Sequence, residues 1–109
     1  MPTNYKVLGQ TAPSATTDTT LYTVPSATET VVSTIVVCNR SASTRTYRIA
    51  IRPDGASIAN SHYLAYDVAL AANDSTALTL GITINAADVI TVYASSADLT
   101  FTAFGSEIS

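Results

Sequence analysis

Two long stretches of β-forming residues, 30–40 and 46–53, are separated only by a short polar link. In the second stretch the apolar side chains occupy odd positions and the arginines even ones, which predicts a strand with one buried and one solvated face. The first stretch is apolar on both parities, so we expect both of its faces to be covered, inside a sandwich or against another subunit. The apolar residues concerned are Val31, Val32, Ile35, Val36, Val37, Cys38, Tyr47, Ile49 and Ile51.

Six further short strands are predicted, each bounded by turn-forming residues. The clearest turn follows the second long stretch, since Pro53 fixes its own φ and Gly55 accepts a positive φ after Asp54. We expect residues 56–61 to form a loop or a single helical turn, and residues 10–19 to form an extended arm or a long connection. The six strands cover residues 5–8, 20–24, 63–70, 76–84, 89–94 and 99–104.

Short strands at regular spacing, without a helical period of useful length, predict an all-β chain. We expect a single-domain antiparallel β-sandwich, jelly-roll-like, with about eight strands and an extended N-terminal segment. Residues 1–20 would form the N-terminal strand and arm, and residues 21–109 the sandwich domain. The predicted core comprises Val24, Val31, Ile35, Val37, Tyr47, Ile49, Ile51, Leu78, Leu80, Ile82, Val89 and Leu99.

The size and composition of the chain favour self-association. At 109 residues it is long enough for one modest core, close to the size at which oligomerisation often adds buried surface. Apolar residues make up 47% and charged residues 12%, which excludes a disordered chain. Lys6 is the single lysine, so the chain lacks the edge lysines that commonly prevent sheets from pairing. We therefore expect a homo-oligomer in which other copies cover the sheet edges.

The net charge of −3 argues against nucleic acid as a partner, because phosphate binding needs a basic surface. Four arginines lie along the two long stretches and could form a basic stripe. The favoured interpretation is that they pair with Asp and Glu across strands or contact an acidic surface of a partner. The N-terminus lacks a charged-then-apolar leader, and no apolar run is long enough to span a membrane, so we expect neither export nor membrane insertion. The arginines are Arg40, Arg45, Arg48 and Arg52.

The residues of a hydrolytic triad are present, but their pattern does not predict catalysis. His62 is the only general base, with Asp54 and Asp67 as orienting acids and Ser57 and Ser61 as nucleophiles. Neither serine lies in the glycine-flanked turn of a nucleophile elbow. We interpret His62 as a loop or rim residue and predict no catalytic residues and no enzymatic activity.

Metal and cofactor sites are not predicted either. One His and one Cys cannot complete a zinc ligand set, and Cys38 lies among valines, where a thiol behaves as a small apolar group. The sequons at Asn39 and Asn73 are interpreted as chance matches. Four aspartates occupy separate turns, where the side chain caps its own backbone, and none has the spacing of a calcium loop: Asp54, Asp74, Asp88 and Asp98.

Six tyrosines and no tryptophan raise the possibility of a carbohydrate-binding face, because aromatic rings stack on sugars. Five of the six fall within predicted strands, where a half-buried tyrosine is ordinary packing, and packing is the favoured interpretation. These five are Tyr22, Tyr47, Tyr63, Tyr66 and Tyr93.

Five segments together resemble small virion structural proteins of tailed bacteriophages, especially phages of cyanobacteria and other aquatic bacteria. The resemblance extends over nearly the whole chain and rests on strand motifs and length. LYTVP followed by a β-run also recurs in tail-fibre and receptor-binding modules. The segments are YKVLGQ (5–10), LYTVP (21–25), VVCNR (36–40), YRIA (47–50) and FGSEI (104–108).

The resemblance implies a β-sandwich that assembles on a phage particle, often as a trimer. We expect a capsid decoration (cement) protein, made in the host bacterial cytoplasm, whose trimers bind the major capsid protein on the outer surface of the virion where capsomers meet. The segment 1–20 would act as an arm that orders on contact with a neighbour. The alternative is a tail, neck or fibre component that binds host-surface glycan, although a chain of this length lacks a long stalk. A free-standing sugar-binding module is a third possibility.

Overall fold

The computed structural model describes residues 3–109 and confirms the all-β prediction. Within these residues nine strands form two antiparallel sheets, with two short 3₁₀ turns, Pro53–Gly55 and Asn60–His62, between β4 and β5. The strands are β1 (Thr3–Thr11), β2 (Thr19–Thr23), β3 (Glu29–Asn39), β4 (Arg45–Arg52), β5 (Tyr63–Leu70), β6 (Ser75–Leu78), β7 (Ile82–Ile84), β8 (Val89–Ala94) and β9 (Leu99–Ile108).

The strand order is that of a jelly roll. The five-stranded sheet has the order β1-β9-β3-β6, with β7 also paired to β3, and the four-stranded sheet has the order β2-β8-β4-β5. Counted as one interrupted strand, β6 and β7 reduce the fold to eight strands in two sheets of four, which matches the predicted number. The interruption lies at residues 79–81, where Gly81 has a φ of +64° and Leu80 is 49% exposed. The prediction of one continuous strand over 76–84, with Leu80 in the core, is therefore wrong.

A β-bulge decides which side chains of β3 reach the core. The pairing of β3 with β9 shifts between Val32 and Thr34. Val32 is buried on the even parity before the bulge, whereas Ile35 and Val37 are buried on the odd parity after it. The extra residue moves the inward face from one parity to the other, because side chains alternate strictly along a strand. The apolar pattern on both parities therefore has two sources: the buried face changes parity at the bulge, and the outward residues Val31, Val36 and Cys38 are also apolar and half-buried. The outward residues of β3, including Val31, are partly exposed.

The predicted core is confirmed at seven positions, which are buried: Val24, Ile35, Val37, Tyr47, Ile49, Val89 and Leu99. Four predicted core residues are only half-buried: Val31, Ile51, Leu78 and Ile82. The Tyr47 ring packs edge-on against Phe101, with 6.2 Å between the ring centroids, at the centre of the sandwich. The large, fully buried side chains outside the predicted core are Val32, Ile90, Val92 and Phe101.

The N-terminal segment is an edge strand of the sheet. Residues 3–11 pair with β9, which itself extends beyond the predicted strand to Ile108. The following connection is also fixed, because Pro13 is buried and the Thr16 backbone N–H donates to the Ala94 carbonyl at 2.8 Å. The predicted N-terminal strand is therefore present and longer than 5–8, and the connection between β1 and β2 packs against the sandwich. Residues 1 and 2 lie outside the described part of the chain.

Candidate functional site

The residues of the hypothetical triad are engaged in other interactions. His62 Nδ1 accepts a hydrogen bond from a backbone N–H three residues earlier, at 3.1 Å, within its own 3₁₀ turn. The Asp67 carboxylate binds Arg48, and the Asp54 backbone N–H donates to Asp88. The two candidate nucleophiles are exposed and lie in the loop before β5: Ser57 and Ser61.

The remaining candidates occupy separate structural positions. Within residues 3–109, no three His, Cys, Asp or Glu side chains come together as a metal-ion site, and no helix has the length and apolar character needed to cross a membrane. Asp74 and Asp88 cap their own turns, accepting from the backbone N–H groups of Ser75 and Asn85 at 2.8 Å each. Cys38 is a free thiol, half-buried on the outer side of β3.

One sequon asparagine is a buried structural residue that the sequence pattern did not identify. Asn39 is 1% exposed, and its side-chain Nδ2 donates to the carbonyls of Ser43, Leu70 and Ala71 at 2.9–3.1 Å. Its Oδ1 accepts from the Ser41 backbone N–H at 2.9 Å. The side chain therefore ties the β3–β4 loop to the end of β5.

The four arginines form no continuous unpaired basic stripe among the described residues, because two of them pair with carboxylates. Arg48 pairs with Asp67 at 2.7 Å and Arg45 with Asp98 at 3.5 Å, which agrees with the predicted pairing with acidic residues. The other two bind neutral oxygens: Arg40 and Arg52.

An apolar patch lies on the outer face of the five-stranded sheet. It comprises Tyr5 (85% exposed), Val7 (47%), Phe104 (38%) and the partly exposed Val31. Three of them, Tyr5, Val31 and Phe104, line an open groove of about 560 Å³. Lys6 borders the groove, but its ammonium is paired 2.9 Å from a carboxylate of β9. Exposed apolar surface of this kind commonly marks an interaction site.

A second apolar surface follows the edge of the four-stranded sheet. On the edge strand β5 the side chains of Leu64, Tyr66 and Val68 are 49%, 55% and 39% exposed. Pairing with β4 is irregular here, and Asp67 has a φ of +50°. We refer to these three side chains as the β5 edge.

Arg48 holds the outer side of this edge in place. Its guanidinium carbon lies 4.2 Å from the ring centroid of Tyr66 and 4.1 Å from that of Tyr93. Its Nε donates to Asp67, and this hydrogen bond raises the pKa of Arg48 further above its ordinary value. Tyr63 packs edge-on against Tyr66, with 4.8 Å between the ring centroids. Two tyrosines thus flank one ion pair and a third packs against one of them, a grouping that alternation alone could not reveal.

A buried polar network lies beneath the apolar patch. The Tyr22 hydroxyl donates to Glu107 Oε2 at 2.5 Å and lies 2.8 Å from Thr30 Oγ1, while Lys6 Nζ contacts Glu107 Oε1 at 2.9 Å. Hydrogen bonds from Tyr22 and Lys6 lower the pKa of Glu107 below its ordinary value. Burial, reinforced by Glu107, raises the pKa of Tyr22 to about 12. The network joins β1, β3 and β9 of one sheet to β2 of the other.

Comparison with known proteins gives no relative for this chain. No protein-family model, no curated protein and no solved structure matches it.

Proposed function

We propose that this protein is a virion structural protein of a tailed phage, a homotrimer that binds the major capsid protein and reinforces the head from outside. The observation that carries the proposal is the pair of separate apolar surfaces, the apolar patch and the β5 edge. A decoration protein needs two interfaces, one to its own copies and one to the shell. The resemblance in the strand motifs supports the same assignment.

The β5 edge suits contact between copies. An edge strand presents unpaired backbone groups along one side, which a neighbouring chain can complete. The ion pair beside it is stacked between tyrosines, and tyrosine and arginine are the side chains most often central to protein interfaces. In a cyclic trimer the β5 edge would contact a different surface of the next subunit, which closes the ring after three contacts.

The apolar patch suits attachment to the shell. It lies on the outer face of the other sheet, so contacts between copies through the β5 edge leave it accessible. Its four members carry no ionisable side chain apart from the Tyr5 phenol, so attachment depends on apolar contact and should persist at high salt. Many weak copies bound together can hold the shell firmly, because linked sites multiply avidity.

The position in the virion is tested by the copy number in purified particles. A decoration protein should be found with the heads, in an amount comparable with that of the major capsid protein. Recovery of a few copies in tail fractions would instead support the alternative, a tail, neck or fibre component that binds host-surface glycan. Addition of the purified protein to undecorated heads should restore decoration, and this binding should survive molar salt.

Two variants distinguish the two surfaces. Phe104→Ser should leave the mass in light scattering at that of a trimer and abolish binding to heads, because it removes the centre of the apolar patch. Leu64→Lys should reduce the mass to that of a monomer and weaken decoration through lost avidity. Ile58→Ser, at an exposed apolar side chain outside both surfaces, is the matched control and should change neither property. Trimers of Phe104→Ser that still decorate heads normally would refute the assignment of the patch.

A further inference from the structure

A small cleft lies on the outer face of the four-stranded sheet, opposite the apolar patch. It is lined by Asp18, Thr20, Arg52, Ile58 and Thr91 and has a volume of about 170 Å³. Thr91 is 5% exposed and forms the floor, because residues 53–62 fold over this part of the sheet. The cleft is thus bounded by β2 on one side and by the β4–β5 loop on the other.

Arg52 enters the cleft as a cation without a carboxylate partner. Its Nε donates to Thr91 Oγ1 at 2.9 Å, and its Nη1 donates to the carbonyls of Gly55 and Ala56 at 3.2 and 3.0 Å. Among residues 3–109 it forms no ion pair within 4.0 Å, unlike Arg45 and Arg48. Three hydrogen bonds to neutral oxygens hold the guanidinium in place and leave the charge and the Nη2 donors uncompensated.

The loop that orients Arg52 is itself held in a specific conformation. Asp54 and Gly55 both have positive φ, 54° and 68°, so the chain turns sharply and directs two carbonyls towards the guanidinium. The Asp54 backbone N–H donates to Asp88 Oδ1 at 2.9 Å, and the Ala56 N–H donates to the Pro53 carbonyl at 3.0 Å. A non-glycine residue in the left-handed region costs free energy, and such residues often occur at binding sites.

The chemistry of the cleft matches one class of ligand. We infer that the cleft binds a single pyranose unit of a neutral saccharide. Adjacent sugar hydroxyls can accept from Arg52 and donate to Asp18, whose carboxylate has no hydrogen bond or ion pair within residues 3–109. Ile58, 36% exposed, offers an apolar wall for the C–H groups of the ring.

A carboxylate on the cleft wall disfavours simple anions. Phosphate would pair with Arg52 but would be repelled by Asp18, whereas a neutral diol satisfies both groups at once. The inference does not rest on the position of the protein in the virion, because it uses neither the apolar patch nor the β5 edge.

The test is an NMR titration of the full chain with methyl glycosides of glucose, galactose and mannose, with N-acetylglucosamine, and separately with inorganic phosphate. Shifts in backbone amide signals should concentrate at residues 18–20, 52–58 and 91 for at least one sugar. Affinity should be millimolar, as expected for a ligand of about a dozen heavy atoms. Shifts with phosphate alone, or none with any sugar up to about 0.1 M, would overturn the inference.

Two variants locate the binding. Asp18→Asn keeps the size of an exposed side chain, and Arg52→Gln removes the cation. Each should weaken binding about tenfold, as expected for loss of a hydrogen bond to a charged group. The control variants Glu29→Gln and Arg40→Gln make the same changes of charge outside the cleft, and they should bind the sugar with the affinity of the natural sequence. Because the Asp18 side chain supports no other group, sugar affinity unchanged in Asp18→Asn would overturn the inference even if Arg52→Gln failed to fold.

Discussion

Replacement of Glu107 by glutamine tests whether the buried polar network secures the N-terminal strand. The carboxylate lies beneath the apolar patch, 9% exposed, and receives the Tyr22 hydroxyl and the Lys6 ammonium on its two oxygens. Glutamine preserves the size of the side chain but offers only one acceptor oxygen. Its amide group must therefore face either the Lys6 ammonium, which can only donate, or the Tyr22 hydroxyl, which would then have to accept in place of donating.

The expected cost is about 2 kcal/mol in the free energy of unfolding. A hydrogen bond to a charged group contributes about 1.5–3 kcal/mol, and a neutral acceptor retains about 1 kcal/mol of this. The Lys6 ion pair adds at most about 1 kcal/mol, because the lysine side chain is 48% exposed and screened by water. With a urea dependence near 1.5 kcal/mol per molar, the unfolding midpoint should fall by more than about 1 M.

Urea unfolding followed by circular dichroism measures this difference, with Glu29→Gln as the matched control. Glu29 is exposed on β3, so its replacement should change stability by less than about 0.5 kcal/mol. The pH dependence gives a second readout. Folding lowers the pKa of Glu107 below its ordinary value of 4.5. The contribution of this carboxylate to stability is therefore complete above pH 4.5, and it is lost as the pH falls through the pKa that Glu107 has in the folded protein. The difference in the free energy of unfolding between the natural sequence and Glu107→Gln should therefore become smaller below pH 4.5. Equal stability of the two glutamine variants at pH 7 would refute the role of the network.

Three further predictions concern other buried groups. The raised pKa of Tyr22, about 12, means that its contribution to stability is complete below pH 10 and is lost as pH rises from 10 towards 12. Tyr22→Phe should therefore reduce the alkaline loss of stability measured by urea unfolding, and the remaining loss should come from Tyr47, whose pKa is also raised by burial. Asn39→Ala should lower the free energy of unfolding by about 2–4 kcal/mol, because it leaves buried backbone groups without hydrogen-bond partners. A loss of less than about 1 kcal/mol, measured by thermal unfolding, would contradict this. Gly105→Ala should destabilise the pairing of β3 with β9 and lower the melting temperature, since the added Cβ would lie 2.0 Å from the Val31 carbonyl oxygen. An unchanged melting temperature would show that the two strands can move apart enough to accommodate the methyl group.

The sequence by itself determined the class of fold and most of the strands. Alternation along residues 46–53 predicted the buried Tyr47 and Ile49, and the predicted bounds of β5 and β8 agree with the structure. The turn at Pro53–Gly55 also formed where its residues predicted it. These features depend on the two-residue period of a strand and on the local φ preferences of Pro and Gly, both of which can be read within a few residues.

Tertiary structure alone decided the register of the longest strand and the division of its partner. The bulge after Val32 moves the inward face of β3 from one parity to the other, and the break at Gly81 divides the paired strand into β6 and β7. The pattern of Val31 and Val32 is compatible with either parity, so only contacts with distant strands could choose between them. The sequence was likewise insufficient for Leu80. Its place in the alternating pattern is that of a core residue, but it lies in the break between β6 and β7, where its side chain is exposed.

The polar groups were the least predictable from sequence. Tyr22 and Glu107 form one hydrogen bond although they are 85 residues apart. Asp18, Arg52 and Thr91 likewise line one cleft from three separate elements. Sequence spacing carries information only about neighbours along the chain, whereas a buried hydrogen bond requires two groups that the packing of two sheets brings together. The sequence therefore determined which segments become strands, and the packing of those strands decided which polar side chains meet.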